Sequence, residues 1–398
     1  MILKYIHQDG TKESINIQSN KPVTHSWINI SSSNKIDFIK EFIPSFNNGQ
    51  KIILFDQKHK QLLKFHKNND INTLKRIEEV NKDSQLLFFT SGSTGFPIGA
   101  FKSKSNLLHE VKVLKELLSS YNIKRVVVTV PFVHIYGIIA GLLLPSSLDN
   151  IELIVKDDFL PYELLEEAQT KNTLVVTTPV FIKALSRIDN SENLSSSIFI
   201  SSTGPLDIQD VSSFEAKFQT NILQLFGSTE TGGIAYKLGV AKNWVPLNSV
   251  NVSSIDDKLN VSSPFISKYI FDKSIKNLHQ PFQTEDIIEN NTDSFILIGR
   301  TNKIIKIAGK RISALQIESI IETIPEVQVA IVELVYKKDL LRSEQIKITL
   351  QASQELSKNV IKNKITEHFS TLTIPFRLNY VDKINYSSVG KKILFNLY

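Results

Sequence analysis

At 398 residues, 41% of them hydrophobic, the chain is long enough for two or three domains with their own cores and too apolar in pattern to be disordered. With no cysteine it carries no disulfide framework, no thiolate zinc site and no cysteine nucleophile, so any covalent thiol must come from a partner. The net charge of +6 comes from lysine spread from end to end, which argues against a nucleic-acid partner and suits small polyanionic ligands.

The opening MILKYIHQDGTKES has no basic-then-apolar leader and no apolar run reaches membrane-spanning length, so a cytoplasmic protein without a membrane span is expected. Residues Asn34 to Ile43 predict a short helix stopped by Pro44. The turn Asn47, Asn48 and Gly49 then leads into an apolar strand, KIILF (Lys51 to Phe55). The same α/β rhythm returns with LLFFT (Leu86 to Thr90), a helix from Lys104 to Leu118, VVVTV (Val126 to Val130), the apolar IIAGLLL from Ile138, and LVVTTP around Val175. Uninterrupted β-branched runs predict strands buried on both faces. Near Gly299 the texture changes, and GRTNKIIKIAGKRIS opens a lysine-rich segment with two strand candidates, AIVEL (Ala330 to Leu334) and IKITL (Ile346 to Leu350). A domain boundary is placed there.

Directly after the strand QLLFF stands TSGSTGFPIG, Thr90 to Gly99. In Thr90, Ser91, Gly92, Ser93, Thr94 and Gly95, small residues at a strand end let successive backbone N–H groups point at phosphate oxygens, and the hydroxyls add donors. No Gly-Lys-Ser/Thr closes the loop, so it is not that of a P-loop NTPase. Standing alone it is more readily a plain serine-glycine turn. Read with the elements that follow, it resembles the TSG(S/T)TGxPKG loop of the adenylate-forming superfamily of acyl-CoA synthetases, aryl-CoA ligases and peptide-synthetase adenylation domains. Ile98 stands where that family usually has lysine.

The resemblance continues from about Ser84 to the carboxyl end. PFVHIYG (Pro131 to Gly137) resembles a P-x-x-H-x-x-G segment, which implies that His134 borders the acyl pocket, although a lone histidine is as readily structural. VTTPVFIKAL resembles a turn beside that pocket, and STGPL, with Gly204 and Pro205, resembles the adenine-side loop. LQLFGSTETGG (Leu223 to Gly233) resembles the aromatic-Gly-x-Thr-Glu element. This implies that Phe226, followed by Gly227, stacks on adenine, that Thr229 donates to the α-phosphate, and that Glu230 holds magnesium. FQTEDI (Phe282 to Ile287) resembles Y-R-T-G-D, giving Asp286 the ribose hydroxyls and placing Glu285 where the family has glycine; a solvated acidic pair is the competing reading. In GRTNKIIKIAGKRIS, Arg300 corresponds to the ribose and phosphate contact, Asn302 to a hinge, and Gly309 to the thiol channel. Gly390-Lys391 resembles the carboxyl-terminal element whose lysine completes the adenylation site.

The resemblance implies an α/β fold with a large multi-layered amino-terminal adenylation portion, residues 1–299, whose first subdomain is abbreviated. A small mobile α+β cap, residues 303–398, follows a hinge near Asn302, with the active site between the two. It further implies ATP and Mg2+, a small-molecule carboxylic acid as substrate, and coenzyme A or the phosphopantetheine of an acyl carrier protein as acceptor. Ile98 and Glu285 leave open a second expectation, a nucleotide-binding member of the family without catalysis.

Overall fold

The computed structural model describes residues 1–17, 26–31, 34–56, 82–90, 98–272, 274–301, 304–307, 310–336, 344–368, 375–386 and 392–393. Their contacts divide the chain into two compact units, Met1–Val252 with Val261–Phe282, and Ser253–Asn260 with Gln283–Tyr398. This division concerns compactness; the hinge expected at Asn302 falls outside the described residues.

The first unit is built on two sheets. In the larger, the strands Ile2–Ile6, Glu152–Val155, Arg125–Val128, Thr173–Thr177, Ile198–Ser201 and Ile222–Ser228 lie side by side and all parallel. Antiparallel strands Lys12–Ile15 and Gly232–Leu238 flank this run, and Val245–Pro246 lies outermost. The central segments RVVV, TLVVT and IFIS are buried at every position, as unbroken apolar runs between helical layers require. Helices Pro179–Arg187 and Ile208–Phe218 cover one face, where Phe199, Phe214 and Phe218 pack ring against ring with centroids 4.9 Å apart. Buried Arg125 ties the start of its strand to Glu152, at 2.7 Å, and to the carbonyl and carboxylate of Glu167.

The second sheet has the order Ser274–Asn277, Tyr269–Asp272, Ile98–Lys102, Leu86–Thr90, Ile52–Phe55, Ile28–Ser31. Beside it the first helix runs Lys35–Asn47, past the stop expected at Pro44. Phe38, Phe42 and Phe46 form an i, i+4 stack with centroids 5.5 Å apart, all buried. Burying each ring is worth about 2 kcal/mol, and together they outweigh the cost of about 3 kcal/mol for an interior proline. The helix ends instead at Asn48, before Gly49 with φ +79°.

The apolar IIAGLLL is helical. The helix Ile135–Ile138 widens into a π turn, Ile139–Leu143, and resumes as Leu144–Ser147, with Gly137 to Pro145 buried. No helix among the described residues is long and apolar enough to cross a membrane.

The second unit holds most of a four-stranded sheet, Asn251–Ile255, Lys258–Ser262, Phe282–Asn290 and Phe295–Arg300, and a hairpin, Ile304–Ile307 with Lys310–Ser313. A three-stranded sheet follows, in which Val327–Tyr336 and Glu344–Ala352 are antiparallel and Phe376–Tyr380 joins in parallel. These strands extend the expected AIVEL and IKITL. Helices Ala314–Ile321 and Lys358–His368 pack on it through Ile317, Ile321, Ile361 and Ile365.

Candidate functional site

Thr90 and Ile98 face each other across an antiparallel pair, so TSGSTGFPIG is the connection of a β-hairpin whose arms are Leu86–Thr90 and Ile98–Lys102. Ser91, Gly92, Ser93, Thr94 and Gly95 lie outside the described residues, and of Thr90 only the backbone is described. Ile98 is a half-buried strand residue in the ladder.

LQLFGSTETGG folds as a second hairpin. Strands Ile222–Ser228 and Gly232–Leu238 are joined by the turn Thr229, Glu230 and Thr231, with Ser228 opposite Gly232. The Thr231 hydroxyl accepts from the Ser228 N–H at 3.1 Å, and the Ser228 hydroxyl accepts from the Thr231 N–H at 3.2 Å, so side chains satisfy backbone groups the turn leaves open. Glycine is obligatory at Gly227, because a Cβ there would lie 2.3 Å from the carbonyl oxygen of Gly232. Phe226 is half-buried and tilted against Trp244, centroids 5.4 Å apart, and the Lys237 ammonium sits 4.9 Å from the Trp244 ring centroid.

The neighbouring strand end supplies the STGPL loop. The Ser202 hydroxyl donates to the Leu225 carbonyl at 2.9 Å, Thr203 takes a left-handed φ of +84°, and Gly204 and Pro205 are exposed. His134 precedes the first turn of the helix Ile135–Ile138, with Nε2 3.9 Å from the buried Asp56 carboxylate. Two residues on, the Tyr136 hydroxyl lies 3.1 Å from the Thr177 carbonyl and 2.9 Å from that of Ile200. Burial pushes this phenol's pKa up, so it stays a donor. His134, Gly204, Pro205, Thr229 and Glu230 thus follow the carboxyl ends of parallel strands, where open α/β sheets bind ligands.

Two charged residues here were not read from the sequence. Lys102, which ends the second arm of the hairpin Leu86–Lys102, is fully buried and donates to the carbonyls of Glu230, at 3.0 Å, and Phe265, at 2.6 Å. Glu110, buried on the following helix Lys104–Leu117, accepts from the Gly233 N–H at 2.9 Å. Burial lowers the Lys102 pKa and raises that of Glu110, while the charge of each opposes the other's shift. Contacts between residues more than a hundred positions apart leave no local pattern to find.

In the second unit, Asp286 pairs with Arg300 across Phe282–Asn290 and Phe295–Arg300, Oδ1 to Nε 3.4 Å. Glu285 keeps a negative φ within its strand, so replacing glycine strains nothing, and its exposed carboxylate meets Lys258 at 3.3 Å. Lys391, Asn302 and Gly309 lie outside the described residues. The next residue, Lys392, is bound by Glu318 at 2.9 Å, Glu322 at 2.7 Å and the Ala330 carbonyl at 2.9 Å. Burial would lower its pKa, but these two carboxylates outweigh that and hold it above the usual lysine range.

Among the described residues no three His, Cys, Asp or Glu side chains cluster as a metal cage. A lone turn carboxylate, Glu230, fits magnesium, which keeps several waters and takes substrate phosphates as its other ligands.

The profile of the family described as AMP-binding enzyme matches residues 30–259. The 4-coumarate--CoA ligase of Halorhodospira halophila is 29% identical over 163 residues, covering 41% of this chain and 38% of that relative. The 3,4-dihydroxybenzoate--[aryl-carrier protein] ligase of Bacillus anthracis is 22% identical over 334 residues, covering 82% and 76%. Among solved structures, the o-succinylbenzoate coenzyme A synthetase (MenE) of Bacillus subtilis, in complex with ATP and magnesium ion, superposes with a TM-score of 0.75 at 16% identity, covering 93% of this chain and 88% of that one. The likeness in structure concerns the fold, and the first of these relatives is matched over less than half its length.

Proposed function

The chain belongs to the family of AMP-binding enzymes, and from that premise we propose that it activates a small-molecule carboxylic acid with ATP and passes the acyl group to a phosphopantetheine thiol. The observation that carries this reading is the turn Thr229, Glu230 and Thr231, held between two partly buried strands, with Phe226 three residues before Thr229 on the same hairpin. A stacking ring, a hydroxyl donor and a carboxylate stand there in the order adenine, α-phosphate and metal demand.

In this account Phe226 stacks on the adenine, Gly204 and Pro205 border it, and Asp286 with Arg300 holds the ribose. The hairpin loop Thr90 to Gly95 cradles the phosphates through backbone N–H groups. Magnesium, held by Glu230, would neutralise phosphate charge and so favour departure of pyrophosphate. A substrate carboxylate oxygen attacks the α-phosphorus in line, with the Thr229 hydroxyl and the Lys391 ammonium stabilising the charge that gathers there. In the second half-reaction a thiol sulfur attacks the acyl carbon, a thioester forms, AMP leaves and the thiol proton passes to solvent. Motion about Asn302 exchanges the two half-reactions. The thiol belongs to coenzyme A or a carrier protein, since the chain has no cysteine, and His134 borders the acyl group.

Mass spectrometry of reactions with ATP, magnesium, a panel of acids and either coenzyme A or a phosphopantetheinylated carrier tests this. The expected products are AMP and thioester in equal amounts with one acid class and one acceptor. Bound ATP with no acid-dependent AMP across the panel would favour a nucleotide-binding protein without catalysis.

A further inference from the structure

The segment joining the phosphate hairpin to the next helix binds backbone around the Glu230 turn at several points. The Glu230 carbonyl accepts from Lys102 at 3.0 Å and from the Ser267 N–H at 2.9 Å, while the Gly233 N–H donates to Glu110 at 2.9 Å. Between Lys102 and Glu110, the Asn106 side chain donates to the carbonyls of Pro264, at 2.6 Å, and Ile266, at 3.3 Å, and closes a capping box with Ser103. Gly232, with φ +74°, leaves room for this approach, since a Cβ there would lie 2.6 Å from a Glu110 carboxylate oxygen.

We propose that the buried Lys102 and Glu110 are positioning residues that fix the Thr229–Glu230 turn to the strand closing the phosphate hairpin, setting where the metal-holding carboxylate stands. The inference rests on the reading of Glu230 given above. Burying two charges is costly, and an apolar pair of similar volume often stabilises a fold as well or better. An apolar pair has no donor for the Glu230 and Phe265 carbonyls and no acceptor for the Gly233 N–H. Lys102 and Glu110 supply both, one at the Glu230 carbonyl and the other three residues on, at the Gly233 N–H. Such groups behind a ligand orient it as much as its own rotamer does.

The test compares the wild-type chain with Lys102→Met/Glu110→Gln, in which both charges are removed and the glutamine can still accept from Gly233. Manganese titrated into the complex with a non-hydrolysable ATP analogue, followed by electron paramagnetic resonance, reports the metal site. Fluorescence displacement in EDTA reports nucleotide binding without metal. The proposal expects manganese affinity to fall about 10-fold while metal-free nucleotide affinity changes less than about 2-fold. Unchanged manganese affinity in a folded variant overturns it, as does an equal fall in both affinities, which marks a general structural support. Where the double variant does not fold, Lys102→Met alone, which removes the donor to the Glu230 and Phe265 carbonyls, decides by the same two readouts. A wild-type chain that binds neither analogue nor manganese overturns the functional reading and this inference with it; metal-dependent binding by wild type with an unchanged variant overturns the inference alone.

Discussion

Lys392 is held by Glu318, Glu322 and the Ala330 carbonyl, so its charge serves the fold of the second unit, and the family pattern assigns chemistry to the residue before it, Lys391. Lys391→Ala is therefore expected to abolish adenylation while leaving thioester formation from supplied acyl-adenylate largely intact; equal loss in the two assays contradicts the assignment. Lys392→Met is expected to cost about 2 kcal/mol of stability, the scale of charge-assisted hydrogen bonds, read as a lowered denaturation midpoint. The folded pKa of Lys392 lies above its unfolded value. Its contribution is thus complete below the unfolded lysine pKa and is lost as pH rises through the higher folded value. Phe226, Thr229, Glu230 and Asp286 stand out as candidates in the sequence because each sits in a short pattern. Lys102 and Glu110 were illegible because their partners, Glu230, Phe265 and Gly233, lie 123 or more positions away.

Of the first-unit motifs, LQLFGSTETGG is a hairpin and TSGSTGFPIG joins the arms of another. In the first of these Gly227 and Gly232 meet backbone or carboxylate atoms too closely for any side chain. Gly227→Ala is expected to open the register between Gly227 and Gly233, costing about 2 kcal/mol as an overpacked site does and lowering carboxylate-dependent turnover, while Gly204→Ala, whose Cβ would approach nothing nearer than Pro179 Cγ at 3.8 Å, leaves stability unchanged. Equal denaturation midpoints for the two variants would contradict that contrast. Element type was less legible where tertiary packing overrides local signals. Pro44 stays inside a helix because three phenylalanines pay more by burial than one lost hydrogen bond costs. IIAGLLL carried no period to separate strand from helix, since every position is buried.

For the whole molecule, the α/β rhythm foretold layered strands buried on both faces, and the unbroken apolar strands occupy the centre of a parallel sheet. The order of strands was out of reach, because Ile2–Ile6 pairs with Glu152–Val155, partners 150 positions apart. The division into two compact units places Phe226, Thr229 and Glu230 in the first and Asp286 and Arg300 in the second. The chemistry proposed for the first-unit turn, with Phe226, Thr229 and Glu230, is activation of a carboxylate. Carboxylate-dependent exchange of labelled pyrophosphate into ATP, with aliphatic and aromatic acids, magnesium and no thiol present, tests that claim most directly. The account predicts exchange that requires an acid of one class and is lost in Glu230→Gln; ATP binding without exchange for any acid would contradict it.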